Sequence, residues 1–148
     1  MTTASEMVLL DTNVLVYALD EESPFHNRSR VVVERAANGE GSYCISSQTL
    51  AEFYSVVTNP RRVKKPRSAP EAVDAIERFL AMPGITLLST PPEVTTRWLA
   101  MIRRTPVTGA NVFDVQLAAT ALVAGVSQVC TFNAADFQRI DDIEVIAP

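Results

Sequence analysis

The sequence predicts a single α/β domain, a three-layer α/β/α arrangement around a mainly parallel central sheet. Three observations carry that expectation. Short apolar or β-branched segments alternate with longer helix-like stretches, the order of a parallel sheet covered on both faces. Turn residues such as Gly41, Gly84, Gly125 and Asn133 bound these segments. No repeat, low-complexity tract or long linker divides the 148 residues, a length close to the commonest size of one domain. One domain is therefore expected over residues 1–148.

The elements follow in order. Val8–Leu10 reads as the first strand, an apolar run that ends on Asp11, after which the residues look helical. A helix is expected over 24–38, with Pro24 in its first turn and Asn38-Gly39 as its exit. Tyr43–Ser46 is the second strand and 48–59 the next helix, stopped by Asn59-Pro60 because the residue before proline avoids the helical region. Residues 60–70 form a cationic connection. A helix over 72–81, a strand at Ile85–Leu88 and a helix over Glu93–Arg104 come next. The loop 105–111 then leads into a helix over 112–124, followed by strands at 128–131 and Glu144–Ile146.

Composition narrows the class. Hydrophobic residues make up 47% and charged residues 20%, as in a folded globular chain rather than a disordered one. No apolar run approaches the roughly 20 residues of a membrane span. The stretch Met1-Thr2-Thr3-Ala4-Ser5-Glu6 has no basic region of a signal peptide, so a cytoplasmic protein is expected. Cys44 and Cys130 lie in strand-like segments without CxxC spacing and read as reduced core residues. His26 is the only histidine and falls in a polar stretch, which gives little support to histidine general-base chemistry. The formal net charge of −4 is not that of a protein that coats nucleic acid. Yet Arg61, Arg62, Lys64, Lys65 and Arg67 gather five of the thirteen cations into seven residues. Such a run is either a solvated loop or a phosphate-attracting lip.

Three carboxylates stand out. Asp114 lies on the same helical face as Leu117, Ala118, Ala121 and Gly125, in a nearly all-apolar helix. A buried acid there must be paired, bound to a metal, or satisfied by amides of the first turn. Asp11 follows a strand, where ligands of α/β sheets bind, and is also a good helix N-cap. Glu52, taken alone, reads as a solvated or capping position, because the stripe Leu50, Phe53, Tyr54 and Val57 points away from it. Together the three can converge at one sheet edge. Acids without a His or Cys cluster favour a hard cation such as Mg2+ or Mn2+ over zinc.

Four segments in this order resemble the PIN-domain ribonucleases, and in particular the VapC toxins of bacterial toxin–antitoxin pairs. They are Leu10-Asp11-Thr12-Asn13-Val14-Leu15-Val16-Tyr17, Ser46-Ser47-Gln48-Thr49-Leu50-Ala51-Glu52-Phe53, Asn111-Val112-Phe113-Asp114-Val115-Gln116-Leu117-Ala118-Ala119-Thr120-Ala121 and Val129-Cys130-Thr131-Phe132-Asn133-Ala134-Ala135-Asp136-Phe137. The resemblance covers nearly the whole chain. It implies a metal-dependent endoribonuclease that hydrolyses RNA phosphodiesters at an acidic pocket holding Mg2+ or Mn2+. Asp11 and Asp114 would hold the ion, with Glu52 as ligand or base. Thr12, Asn13, Thr131 and Asn133 would lie around them. Family members often carry an acid two residues after the Thr131 position. This chain has Asn133 there, and the nearby acid is Asp136. The resemblance also implies a homodimer silenced by a cognate antitoxin. Two competing readings are a haloacid-dehalogenase-like phosphohydrolase and a non-catalytic nucleic-acid-binding domain. The first wants a second Asp where Asn13 stands. The second needs no divalent ion for RNA affinity.

Overall fold

Alternation within each short strand sends neighbouring side chains to opposite faces of the sheet, and this builds two separate cores. The computed structural model describes residues 6–148. The strands are β1 (Val8–Leu10), β2 (Tyr43–Ser46), β3 (Ile85–Leu88), β4 (Gln128–Cys130) and β5 (Glu144–Ile146). The helices are α1 (Thr12–Ala18), α2 (His26–Ala37), α3 (Ser47–Val57), α4 (Ala69–Ala81), α5 (Glu93–Arg104), α6 (Asn111–Val123) and α7 (Ala134–Phe137). Every strand pairing is parallel, in the order β3-β2-β1-β4-β5. Leu10, Ile45 and Cys130 face one core with residues of α1 to α4, including Val14, Phe53 and Phe79. Leu9, Cys44 and Val129 face the other with Leu117 and Ala121 of α6 and Phe137 of α7. The α/β/α layering expected from the sequence is present, and Cys44 and Cys130 are buried free thiols. Burial pushes them up to about 12 and about 11, so neither is a ready nucleophile.

Several boundaries differ from the expectation for local reasons. The helix expected over 24–38 begins at His26, with Pro24 in the turn before it, and ends at Ala37 with Asn38 as its cap, before Gly39 at φ +68. The helix expected over 72–81 begins three residues earlier. Ser68 accepts the Glu71 amide, and the Glu71 carboxylate accepts the Ser68 amide, which closes a capping box with Pro70 in the first turn. The strand expected over 128–131 stops at Cys130. Helices α1 and α7 were not among the expected elements as separate helices. Residues 1–5, included in the single-domain reading, lie outside the described residues. No helix among the described residues is long and apolar enough to cross a membrane.

The α2–β2 turn and the start of β3 meet at Gly84. Its amide donates to the Ala36 carbonyl at 2.9 Å, and its own carbonyl accepts from Tyr43 at 2.8 Å. A Cβ at this position would stand 2.6 Å from the Gly41 carbonyl oxygen and 2.7 Å from that of Ala36. These are backbone atoms and cannot rotate aside. Gly84→Ala is expected to lower stability by about 1–3 kcal/mol, the usual cost of overpacking. A denaturant midpoint equal to that of the natural chain would show that this junction yields freely.

Candidate active site

The strand order places the site. From β1 the chain steps outward through β2 and β3, then returns to lay β4 on the other side of β1. The carboxyl ends of β1 and β4 therefore flank the topological switch point, where open α/β sheets bind ligands. Asp11 and Thr131 follow those two strands directly. Asp11 is 9% exposed and serves as N-cap of α1.

Hydrogen bonds fix the charge pattern around Asp11. Its Oδ1 accepts from the Thr12 amide at 2.8 Å. The Thr131 hydroxyl accepts from Asn13 Nδ2 at 3.1 Å and from the Asn133 amide at 3.0 Å. With both lone pairs occupied, that hydroxyl directs its single proton to Asp11 Oδ2, at 2.8 Å. Asn13 also reaches Oδ2 at 3.4 Å, and its carbonyl oxygen accepts from the Phe132 amide at 3.3 Å. Phe132 packs against Phe25 and Tyr17, with ring centroids 4.6 and 5.5 Å away, so aromatic contact braces the loop after β4.

Glu52 reaches the site from α3. Ser46 ends β2 and caps α3 by accepting the Thr49 amide, so the helix starts at once and brings Glu52 round on its second turn. Thr12 Oγ1 donates to Glu52 Oε2 at 2.9 Å, and Gln48 Nε2 donates to Oε1 at 3.1 Å. Both oxygens are held by protein groups, which removes the solvated reading of Glu52. Leu50, Phe53 and Val57 are buried as expected, whereas Tyr54, expected on that stripe, is 37% exposed. Gln48 was missed as a site residue. It also donates to the Phe113 carbonyl at 3.0 Å and so ties α3 to the helix that carries Asp114. Its spacing of four from Glu52 was the available signal.

Asp114 is half-buried in the first turn of α6, and Asp136 is exposed on α7. Burial first, then the charges of Asp136, Asp11 and Glu52, push the Asp114 carboxyl up to about 6. Burial also raises Asp11, against the lowering effect of its bonds from Thr131 and Thr12, and Glu52 and Asp136 add to the rise. Among the described residues no cation offsets either group. Asn133 is exposed at the start of α7 and makes no side-chain cap. His26 donates from Nδ1 to the Tyr17 carbonyl at 2.9 Å, a bond between α1 and α2.

The basic run lies elsewhere. Arg61, Arg62, Lys64 and Lys65 are exposed, and Arg67 donates to the Leu19 carbonyl at 3.4 Å. Arg62, Lys64, Lys65 and Arg67 line a groove with Asp20, Glu21 and Glu22, beyond the C-terminal end of α1. Asp11 caps the opposite end of that helix, whose seven residues span about 10 Å.

The PIN domain family matches residues 8–143, a span that holds Asp11, Glu52, Asp114 and Asp136. The chain belongs to the PIN-domain family. Among similar proteins, the VapC ribonuclease Mb2897 of Mycobacterium bovis is 34% identical over 119 residues, 78% of this chain and 79% of that protein. Ribonuclease VapC24 of Mycobacterium tuberculosis is 29% identical over 128 residues, 86% of each chain. The fold is shared with VapBC2 from Rickettsia felis, solved bound to a DNA fragment from its promoter, at a TM-score of 0.64 and 19% identity over 95% of this chain and 98% of that one. The haloacid-dehalogenase-like alternative falls with PIN membership.

PIN nucleases generally depend on a divalent metal. Among the described residues no three acidic, His or Cys side chains converge closely enough to enclose an ion. The donor set nevertheless fits a hard divalent cation. Mg2+ keeps most of its water and needs only one or two carboxylates, and the acids here repel one another without a cation between them.

Proposed function

We propose that this PIN-domain chain is a divalent-metal-dependent endoribonuclease that hydrolyses RNA phosphodiesters as the toxin of a toxin–antitoxin pair. The observation that carries the reading is a group of acids at the β1/β4 switch point with no lysine or arginine among them, in a chain whose relatives are named ribonucleases. Asp11 and Asp114 would hold the ion, Mg2+ or Mn2+. When bound, the ion supplies Lewis acidity, which favours hydroxide over water and offsets phosphoryl charge. Glu52, held in place by Thr12 and Gln48, orients the attacking water and takes its proton. Asp136 assists from the solvent side. Thr131 and Asn13 keep Asp11 facing the site, with Asn133 supporting Thr131 through its amide.

The basic run 61–67, set off from the acids by the length of α1, attracts RNA through its field rather than by contact at the scissile bond. The protein works in the cytoplasm as a single-domain homodimer restrained by a cognate antitoxin. Exposed Leu99 and Phe113 are apolar groups that a dimer would cover. Support for the antitoxin comes from relatives such as VapBC2, which was solved as a toxin–antitoxin complex. The test is cleavage of single-stranded RNA. Mg2+ or Mn2+ should permit cutting and EDTA should stop it. RNA binding without cleavage, indifferent to added metal, would make the chain a non-catalytic binding domain.

A further inference from the structure

The acid chemistry leaves one neighbouring hollow unused. It lies between α5, α6 and α7, has a volume of about 180 Å³, and takes Asp136 and Asn111 into its wall. Asp136 is also one of the acids whose charge is felt at Asp114. We propose that this hollow receives one nucleobase of the RNA beside the bond to be cut, and so sets sequence preference. The proposal rests on the nuclease reading above.

Its lining suits a base. Met101, Val115, Leu122 and Ile140 supply apolar wall, and the Asn111 amide offers a donor and an acceptor together, the pair that reads a base edge. The volume is smaller than the roughly 300–1,000 Å³ of pockets for drug-sized ligands, so it suits one ring system rather than a larger cofactor.

Charge favours a nucleotide over an uncharged ligand. Three arginines reach the rim. Arg104 is paired with Asp141 at 2.8 Å, whereas Arg97 and Arg139 are exposed and have no ion-pair partner among the described residues. In a chain of net charge −4, two unpaired guanidinium groups beside an apolar hollow match phosphates that flank a seated base. The remaining rim acids are Asp142 and Asp136, and Asp136 belongs to the acidic group itself.

Two variants outside the acids test this. Ala100→Trp fills the hollow from the exposed face of α5, and Arg97→Ala removes one unpaired cation. Each is compared with the natural chain in two assays. One maps cut sites on mixed-sequence single-stranded RNA with Mn2+. The other measures metal-free binding of a short labelled RNA across a salt series. Ala100→Trp should redistribute the cut sites and weaken RNA binding about tenfold, the loss expected for one base's contacts. Arg97→Ala should flatten the slope of log K against log salt by about 0.7, one phosphate contact on a single strand. If the natural chain cuts RNA and both variants match it in cut sites, affinity and salt slope, the hollow is not a base site and the nuclease reading stands. If the natural chain binds RNA without cutting and Ala100→Trp loses that affinity, the hollow remains an RNA site and the nuclease reading falls. Absence of both binding and cutting would overturn both.

Discussion

Asp114→Asn is expected to abolish metal-dependent RNA cleavage and to leave the metal-free fold at least as stable as that of the natural chain. The two halves have separate causes. Asparagine keeps the shape of the side chain but removes the charge with which Asp114 is proposed to hold the ion, and the loss of several kcal/mol of transition-state stabilisation is about a thousandfold or more in rate. The same charge is a liability without metal. Burial and three neighbouring acids hold the Asp114 carboxyl near about 6, so a neutral group relieves repulsion. Asp11→Asn should lose cleavage equally but also lose stability. The Thr131 hydroxyl already accepts twice, so it can only donate toward residue 11, and an amide nitrogen at Oδ2 would meet a site with no free lone pair. A buried donor left unmatched costs about 1–3 kcal/mol. Sequence alone treats the two aspartates as equivalent, and the hydrogen bonds separate them. Single-turnover cleavage and denaturant midpoints in EDTA decide the matter. Cutting by Asp114→Asn at the natural rate would end the mechanism, and equal midpoints for the two variants would end the argument about Thr131.

The legible parts of the fold were those set by short-range pattern. Strands at Val8–Leu10, Tyr43–Ser46, Ile85–Leu88 and Glu144–Ile146 have the ends expected of them, because each is a brief apolar or β-branched run closed by turn residues. Helix α1 was legible only as helix-like residues after the Asp11 cap, and α7 not at all, since four residues are too few to display a helical period. The early start of α4 was legible in principle, through Ser68 and Glu71 three residues apart, but Pro70 reads equally well as a loop residue. At the site, Asp114 announces itself as an acid in an apolar helix. Glu52 does not, because its partners Thr12 and Gln48 are polar and the face they share leaves no hydrophobic trace. The reach of Gln48 to the Phe113 carbonyl joins residues 65 apart in sequence, and nothing local signals it.

The metal-free protein is expected to be more stable at about pH 5 than at about pH 7.5, and a divalent ion should reverse that order. A carboxyl whose folded value lies near about 6, above its ordinary 3.8, binds more protons folded than unfolded between those limits. Its contribution is complete below the ordinary value and is lost as pH rises through about 6. The shift corresponds to about 3 kcal/mol as a ceiling, and because Asp114 is only half-buried, solvent screening reduces this to about 1 kcal/mol. Asp11, raised by burial, acts in the same direction. At about pH 7.5 the Asp114 carboxylate is free to take an ion, and Mg2+ or Mn2+ at 100-fold above its Kd adds about 2.7 kcal/mol. At about pH 5 the ion must first displace the proton from Asp114, so it adds less. Thermal melts at both pH values, in EDTA and in Mn2+, should therefore cross, and Asp114→Asn should flatten both the pH trend and the metal response. Parallel melting curves, with a metal response at about pH 5 as large as at about pH 7.5 and unchanged in Asp114→Asn, would mean that Asp114 does not hold the ion.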